Sequence, residues 1–206
     1  MDLSPQQIAS CTEIPIDCLN PGTGGCEGSS QVVAFAAIIA NGGIVSEWTY
    51  PYVSWSGTDF ACKFPGNKTV KPVVKLSNFS VITPNSYDAL MDAVATQGPV
   101  TISVDASTWH LYESGVYDGC NQTAPTIDHA VQLMGYGTDN NVPYWIVRNS
   151  WTPSFGENGY IRLLRDITPR CGQDPGAADC DGAPTTPTVC GTCGILYDNA
   201  YPVIAD

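Results

Sequence analysis

Basic residues are scarce in this chain of 206: eight Lys and Arg stand against twenty Asp and Glu, for a net charge of −12. None of the basic residues precedes Lys63, whereas Asp2, Glu13, Asp17, Glu27, Glu47 and Asp59 all do. A surface this acidic repels phosphate backbones, so nucleic acid is excluded as a partner. The acidic first part reads as a solvated face or, more sharply, as a lobe that attracts cationic peptides. Long apolar runs are also missing. The longest, Val32–Ala40, is too short to cross a bilayer, so no membrane span is expected. Residues Met1 to Ser10 hold no basic residue and no apolar block, and are not expected to be a signal peptide. There is no repeat and no long linker. Cys190 and Cys193 form a CxxC, but without a second pair or a strand–helix context. No metal and no cofactor are therefore expected.

What is present points to a packed, exported protein. Apolar residues make up 43% and charged residues only 14%, enough to build a core and too apolar for a disordered chain. Nine cysteines are too many for a reducing cytosol, and an odd number leaves one unpaired. Glycosylation sequons stand at Asn67, Asn78 and Asn121. Together these features place the chain in the secretory pathway, in a lysosome or vacuole or outside the cell.

The hydrophobic pattern changes period along the chain. Ser29–Ala40 reads as a buried helix capped by Ser29 or Ser30 and stopped by Gly42-Gly43. Ile44–Phe64 is aromatic and turn-rich. Asn85–Thr96 reads as a second helix, capped by Asn85 or Ser86, with an apolar stripe of Leu90, Met91, Val94 and Ala95. Then Val100, Ile102 and Val104 alternate with polar residues, which is strand spacing. Further strands are expected at Ala130–Tyr136, Tyr144–Asn149 and Gly159–Leu164, with short connections that favour antiparallel pairing. Gly172–Thr188 reads as a surface loop pinned by disulfides, with Cys180 inside and Cys171 and Cys190 at its flanks. Helices first and strands second make an α+β chain.

Chemistry rests on few residues. Of the two histidines, His110 sits among aromatics in Trp109-His110-Leu111-Tyr112 and reads as structural or surface. His129 opens one expected strand, and Asn149 closes the next. If those strands are antiparallel neighbours, the two side chains can touch. An amide carbonyl on an imidazole would fix the tautomer that a general base needs.

Ordered short strings then carry a resemblance. Leu3-Ser4-Pro5-Gln6-Gln7-Ile8-Ala9-Ser10-Cys11, Gly25-Cys26-Glu27-Gly28 and Thr49-Tyr50-Pro51-Tyr52 come first. Gly98-Pro99-Val100, Ser114-Gly115-Val116-Tyr117 and Asp128-His129-Ala130-Val131 follow, then Gly135-Tyr136-Gly137. Asn149-Ser150-Trp151, Gly156-Glu157-Asn158-Gly159-Tyr160, Cys193-Gly194-Ile195-Leu196 and Tyr201-Pro202 complete the order. In sequence and spacing they resemble the papain-like cysteine proteases, the papain and cathepsin group.

The resemblance implies a papain-like α+β fold. Residues 1–79 would form a helix-rich left lobe lacking its central helix, and residues 80–206 an antiparallel β right lobe. It implies a thiol peptidase working by Cys–His–Asn on peptide or protein substrates. His129 would be the general base, Asn149 its orienting residue and Trp151 the shield over their hydrogen bond, with Asp128 supporting. Gly28, Ser29, Ser30, Ser103 and Ile127 would line the main specificity pocket. Asp198 falls at its floor, where an acid favours a basic side chain. Disulfides would join Cys11 to Cys62 and Cys120 to Cys193, leaving Cys18, Cys171, Cys180 and Cys190 unassigned.

The chain departs from the family pattern at several points. The family's nucleophile lies in CGSCW, with the His and Asn about 130–150 residues downstream. That string occurs nowhere here, and the count back from His129 and Asn149 lands at or just before Met1. The expectation is a chain inactive alone, with a second chain or an N-terminal segment supplying the nucleophile helix and the partner of Cys26. Cys26 as a surrogate nucleophile is set aside, because the family's GCxGG segment holds a structural disulfide. Thr152 replaces the Gly of the family's NSWG, while Phe155 keeps an aromatic downstream. The alternative reading is a non-catalytic papain-fold protein acting as a binding or structural subunit.

Overall fold

The computed structural model describes residues 1–12, 24–64, 71–176 and 186–205. Cys18, Cys180 and the sequon at Asn67 lie outside the described residues. The chain divides into two units, one of Met1–Ser80 with Pro202–Asp206 and one of Val81–Tyr201.

In the first unit, α1 spans Pro5–Cys11, with Pro5 in its first turn and the Ser4 hydroxyl capping the Gln7 N–H. Its two glutamines are buried, and each amide both donates and accepts. Gln7 donates to the Gly43 carbonyl and accepts from the Val45 N–H. Gln6 donates to Ser10 and Ser54 and accepts from the N–H groups of Val53 and Ser54. A short helix thereby fixes the turn-rich stretch that follows it. The Cys11–Cys62 disulfide closes the same corner, beside a small cluster of Cys11, Val45 and Phe64.

The helix expected from Ser29 forms as α2, Gln31–Ala40, with Ser30 capping Val33. Its expected burial is not realised: only Gln31 and Ile38 are buried. An apolar composition states what a helix can bury, not what covers it, and α1 is the one other α-helix of this unit among the described residues. Phe35 packs on Phe79 of β1, Leu76–Val81, with ring centroids 6.1 Å apart. Residues 202–205 return to this unit. Ala205 donates to the Lys75 carbonyl and the Ser77 hydroxyl to those of Val203 and Ile204.

The second unit is built on strands. α3 spans Tyr87–Thr96. It is followed by β2 (Val100–Val104), β3 (Val116–Tyr117), β4 (His129–Asp139), β5 (Val142–Arg148) and β6 (Tyr160–Leu164). β7 (Cys171–Gln173), β8 (Thr188–Cys190) and the first half of β9 (Asn199–Ile204) complete it. The sheet runs β9–β2–β4–β5–β6–β3. The pairs β2–β4, β4–β5 and β5–β6 are antiparallel, the last two across the short connections that favour it. β3 joins β6 in parallel, which alternation alone does not reveal. Leu90, Ile102, Trp109, Leu133, Trp145, Ile161 and Leu163 are fully buried between sheet and helix.

Two details of α3 differ from the sequence reading. It starts after Ser86, because Asn85 takes a left-handed φ of 59° and uses its side chain elsewhere. That amide donates to the Thr188 carbonyl and accepts from the Cys190 N–H. The buried face is Leu90, Ala93 and Val94, while Ala95 is exposed. The loop expected over Gly172–Thr188 is drawn together at its ends as the β7–β8 pair, bridged by Cys171–Cys190. The second expected disulfide, Cys120–Cys193, is present.

Two ion pairs of one arginine tie three segments of this unit. Arg162 of β6 donates to both Glu157 oxygens at 2.8 and 2.7 Å and to Asp139 at 2.9 Å. Glu157 also accepts from the Gly115 N–H. These hydrogen bonds, chiefly Arg162's, hold the Glu157 carboxyl below its ordinary range. A carboxylate lowered in the folded state stabilises fully above its unfolded pKa, and less as pH falls through the folded one. Glu157→Gln is expected to lower stability by about 1–3 kcal/mol at neutral pH. It should also flatten the acid limb of a plot of urea midpoint against pH; an unchanged acid limb would remove this pair from the stability account.

Candidate functional site

His129 opens β4 opposite Val104 of β2. Asn149 directly follows β5, whose last residue, Arg148, sits opposite Gln132 of β4. Antiparallel pairing thus brings the start of one strand beside the end of the next. The His129 Nε2 and Asn149 Oδ1 lie 2.9 Å apart. The same oxygen accepts from the Ser150 backbone N–H at 2.7 Å. An atom that accepts from a backbone N–H is the carbonyl oxygen of the amide, so Nε2 is the donor. The neutral ring then carries its proton on Nε2 and its lone pair on Nδ1.

The pair is shielded by aromatic rings. Trp151 stacks on His129 at 5.2 Å between centroids. Trp109 meets the imidazole edge-on at 6.2 Å, and Phe155 packs on both tryptophans. Trp109 is fully buried and its indole N–H points to Cys193 Sγ, so the Cys120–Cys193 disulfide backs the cluster. Asn149 is 8% exposed and its Nδ2 has no hydrogen-bond partner among the described residues. An orphaned buried amide costs about 1–3 kcal/mol. Thr152 stands at φ 70°, where a β-branched residue is strained.

The approach to His129 is held by carboxylates rather than by apolar packing alone. Asp105 is 2% exposed and accepts from the Thr126 N–H and from Ser107. Asp174 is 1% exposed and accepts from the N–H groups of Ile127 and Gly176. Asp128 accepts from the Ala106 N–H at 2.9 Å, while its own N–H donates to Val104. Its bonded support is therefore to the backbone behind His129. Gly194, at φ 74°, leaves room for Ile127: a Cβ there would meet Ile127 Cδ1 at 2.5 Å.

Ser103 and Asp198 come together. The Ser103 hydroxyl donates to Asp198 Oδ2 at 2.8 Å, and the Ser103 N–H donates to the Asp198 carbonyl. Gly28, Ser29 and Ser30 belong to the first unit, where Gly28 and Ser29 are exposed and Ser30 caps α2. Cys26, also in that unit, is the one free cysteine among the described residues. Desolvation, then the Asp59 hydrogen bond and charge, push its thiol pKa up, the opposite of what a nucleophile needs. His110 is exposed in the short turn Trp109–Leu111. Asn78 is exposed on β1, and exposed Asn121 accepts from the N–H groups of Thr123 and Ala124.

Sequence reasoning missed Trp109, Asp105 and Asp174. The string Trp109-His110-Leu111-Tyr112 drew notice for its histidine, whereas the tryptophan beside it packs on the site. No spacing rule marks a buried Asp that holds a loop through backbone N–H groups.

The family model described as papain family cysteine protease matches residues 1–178. The chain belongs to the papain family of cysteine proteases. Human cathepsin L2 is 39% identical over 165 residues, which cover 76% of this chain and 47% of that protein. Zingipain-2 of Zingiber officinale is 37% identical over 207 residues, covering 98% and 76% respectively. Among solved structures, the bromelain protease from Ananas comosus in complex with the E64 inhibitor matches with a TM-score of 0.74 and 32% identity. That match covers 99% of this chain and 79% of bromelain. The chain has the papain-like α+β fold that it shares with bromelain, and it spans about half the length of cathepsin L2.

Proposed function

We propose that this papain-family chain is the His–Asn-bearing part of a cysteine endopeptidase, inactive without a nucleophilic thiol supplied by another segment or chain. The observation that carries this is the Nε2–Oδ1 bond between His129 and Asn149 under Trp151. With Nε2–H donated to Asn149, Nδ1 faces the reaction as the base. In the complete enzyme Nδ1 takes the proton of the thiol, and the thiolate attacks the peptide carbonyl. His129 then gives that proton to the leaving amine, and a thioester remains on the sulfur. Next it removes a proton from water, which attacks the thioester and releases the acid. Asn149 keeps the ring from turning through both steps. Trp151 and Trp109 exclude water that would compete for Oδ1.

Residues 1–79 and 80–206 act as the two lobes of this enzyme in the proposal. The disulfides and the exposed sequons at Asn78 and Asn121 support maturation in the secretory pathway, with work in a lysosome or vacuole or outside the cell.

In this proposal Ser103, Ile127 and Asp198 are the second unit's part of the specificity pocket. A half-buried carboxylate oriented by the Ser103 hydroxyl selects a cation.

Two outcomes test these statements. The purified 206-residue chain, given a thiol reductant and a fluorogenic peptide, should show no turnover above buffer; thiol-dependent hydrolysis would overturn the missing-nucleophile reading. In the complete peptidase, peptides with Arg as the second residue before the cut should exceed those with Leu in kcat/KM by about tenfold or more. Asp198→Ala should erase that preference, and a preference for Leu in the unaltered enzyme would refute it.

A further inference from the structure

β4 begins only at His129, and three backbone N–H groups lead into it. That of Asp128 goes to a sheet carbonyl, Val104's. Those of Thr126 and Ile127 go instead to carboxylates, of Asp105 at 3.3 Å and of Asp174 at 3.0 Å. Asp105 directly follows β2 and is fixed by the sheet. Asp174 has a different origin: it lies 47 residues beyond Ile127 and directly follows β7.

The β7–β8 ribbon brings that carboxylate in. Its strands are bridged by Cys171–Cys190, and the Asp174 N–H donates across the ribbon to the Pro187 carbonyl at 3.0 Å. The Gln173 N–H donates to the Thr123 carbonyl at 3.1 Å, which lays β7 on the segment leading to Ile127. Gly172 permits this approach: a Cβ there would meet the carbonyl oxygens of Gln122 and Thr123 at 2.5 and 2.6 Å. From β8, Val189 converges with Ile127 over Gly194, where an added Cβ would meet Ile127 Cδ1 at 2.5 Å and Val189 Cγ1 at 2.7 Å. Asp174 is 1% exposed, and its second oxygen takes the Gly176 N–H at 2.8 Å. It joins no ion pair among the described residues, so backbone N–H groups satisfy its charge. Burial, then the charges of Asp198 and Asp174, push the Tyr197 hydroxyl pKa up, so both carboxylates act on the same neighbour.

We propose that Asp174 is a positioning residue for Ile127, and that the β7–β8 ribbon thereby sets the wall of the specificity pocket. This rests on the assignment of Ile127 to that pocket under the proposed function. Asp174 acts through the Ile127 backbone N–H rather than on substrate: a peptide unit held there fixes where the Ile127 side chain stands. An amide cannot replace the carboxylate. Asn offers one acceptor oxygen, and its NH2 would face the second N–H. His129 is held separately, by its pairing with Val104 and by Asn149. Loss of Asp174 therefore falls on the pocket wall and not on the base.

Two measurements test it. In the 206-residue chain, amide hydrogen exchange is followed at Ile127 and at Leu133 and Val147, which pair across β4 and β5. Asp174→Asn should speed exchange at Ile127 roughly tenfold and leave Leu133 and Val147 unchanged. Gly172→Ala keeps the carboxylate but lifts the ribbon, and should do the same. Asp92→Asn, which removes an exposed charge on α3, should change none of the three. Unchanged exchange at Ile127 in both ribbon variants would overturn the proposal, as would equal acceleration at all three amides. In the complete peptidase, kcat/KM is compared for peptides with Arg, Leu or Gly as the second residue before the cut. Asp174→Asn should lower the Arg and Leu values on the order of tenfold and leave the Gly value unchanged, because Gly has no side chain to meet the wall. An equal fall for all three peptides would overturn the proposal and leave the pocket standing. An unaltered enzyme that cleaves the Gly peptide as well as the other two would overturn the pocket itself, and the proposal with it.

Discussion

The hydrogen bond between His129 and Asn149 depends on strand register more than on either residue. β4 and β5 run antiparallel, so the first residue of one and the residue just after the other meet at the same end of the sheet. A slip of one position would turn His129 to the opposite face of β4. The register is fixed at several places. Val104 of β2 pairs with His129 from the other side, and β5 pairs with β4 across an irregularity between Leu133 and Gly135. The fully buried Leu133, Val147 and Ile161 fix the inward face.

Polar groups complete what the sheet begins. The peptide segment leading into His129 is held at Thr126 and Ile127 by the buried carboxylates of Asp105 and Asp174. Backbone N–H groups satisfy these charges without a cation, in the way a carboxylate caps a helix. Behind them, Cys120–Cys193 and Cys171–Cys190 tie the segments that carry Trp109, Ile127 and Asp198 into one frame. Strain persists at the site itself, in the left-handed Thr152 and the unpaired Asn149 Nδ2. Such strain is tolerated where surrounding contacts over-determine the backbone.

Much of this was legible in the sequence, and for definite reasons. The change of period at Val100 marked the strands, and the short turns dictated that they pair antiparallel. His129 and Asn149 could be matched because strand ends meet in a hairpin. The start of α3 was less legible, since Asn85 and Ser86 are equally good caps until the hydrogen bonds from Asn85 to the β8 strand are seen. The exposure of α2 was illegible, because apolar content does not reveal the covering element. Strands as short as β3 and β7 carry too few residues for alternation to register. The exposure of Trp48 and Trp55 was not legible either, because an aromatic, turn-rich stretch does not say which of its rings face water.

Asn149 fixes the imidazole of His129 with its proton on Nε2 and its lone pair on Nδ1. Long-range ¹H–¹⁵N correlation of the histidine rings, recorded above the imidazole pKa, measures this directly. His129 is expected to be held as the Nε2–H tautomer in the native chain, and Asn149→Ala to release it to a mixture. A His129 ring protonated on Nδ1, or one already mixed with Asn149 in place, would contradict it.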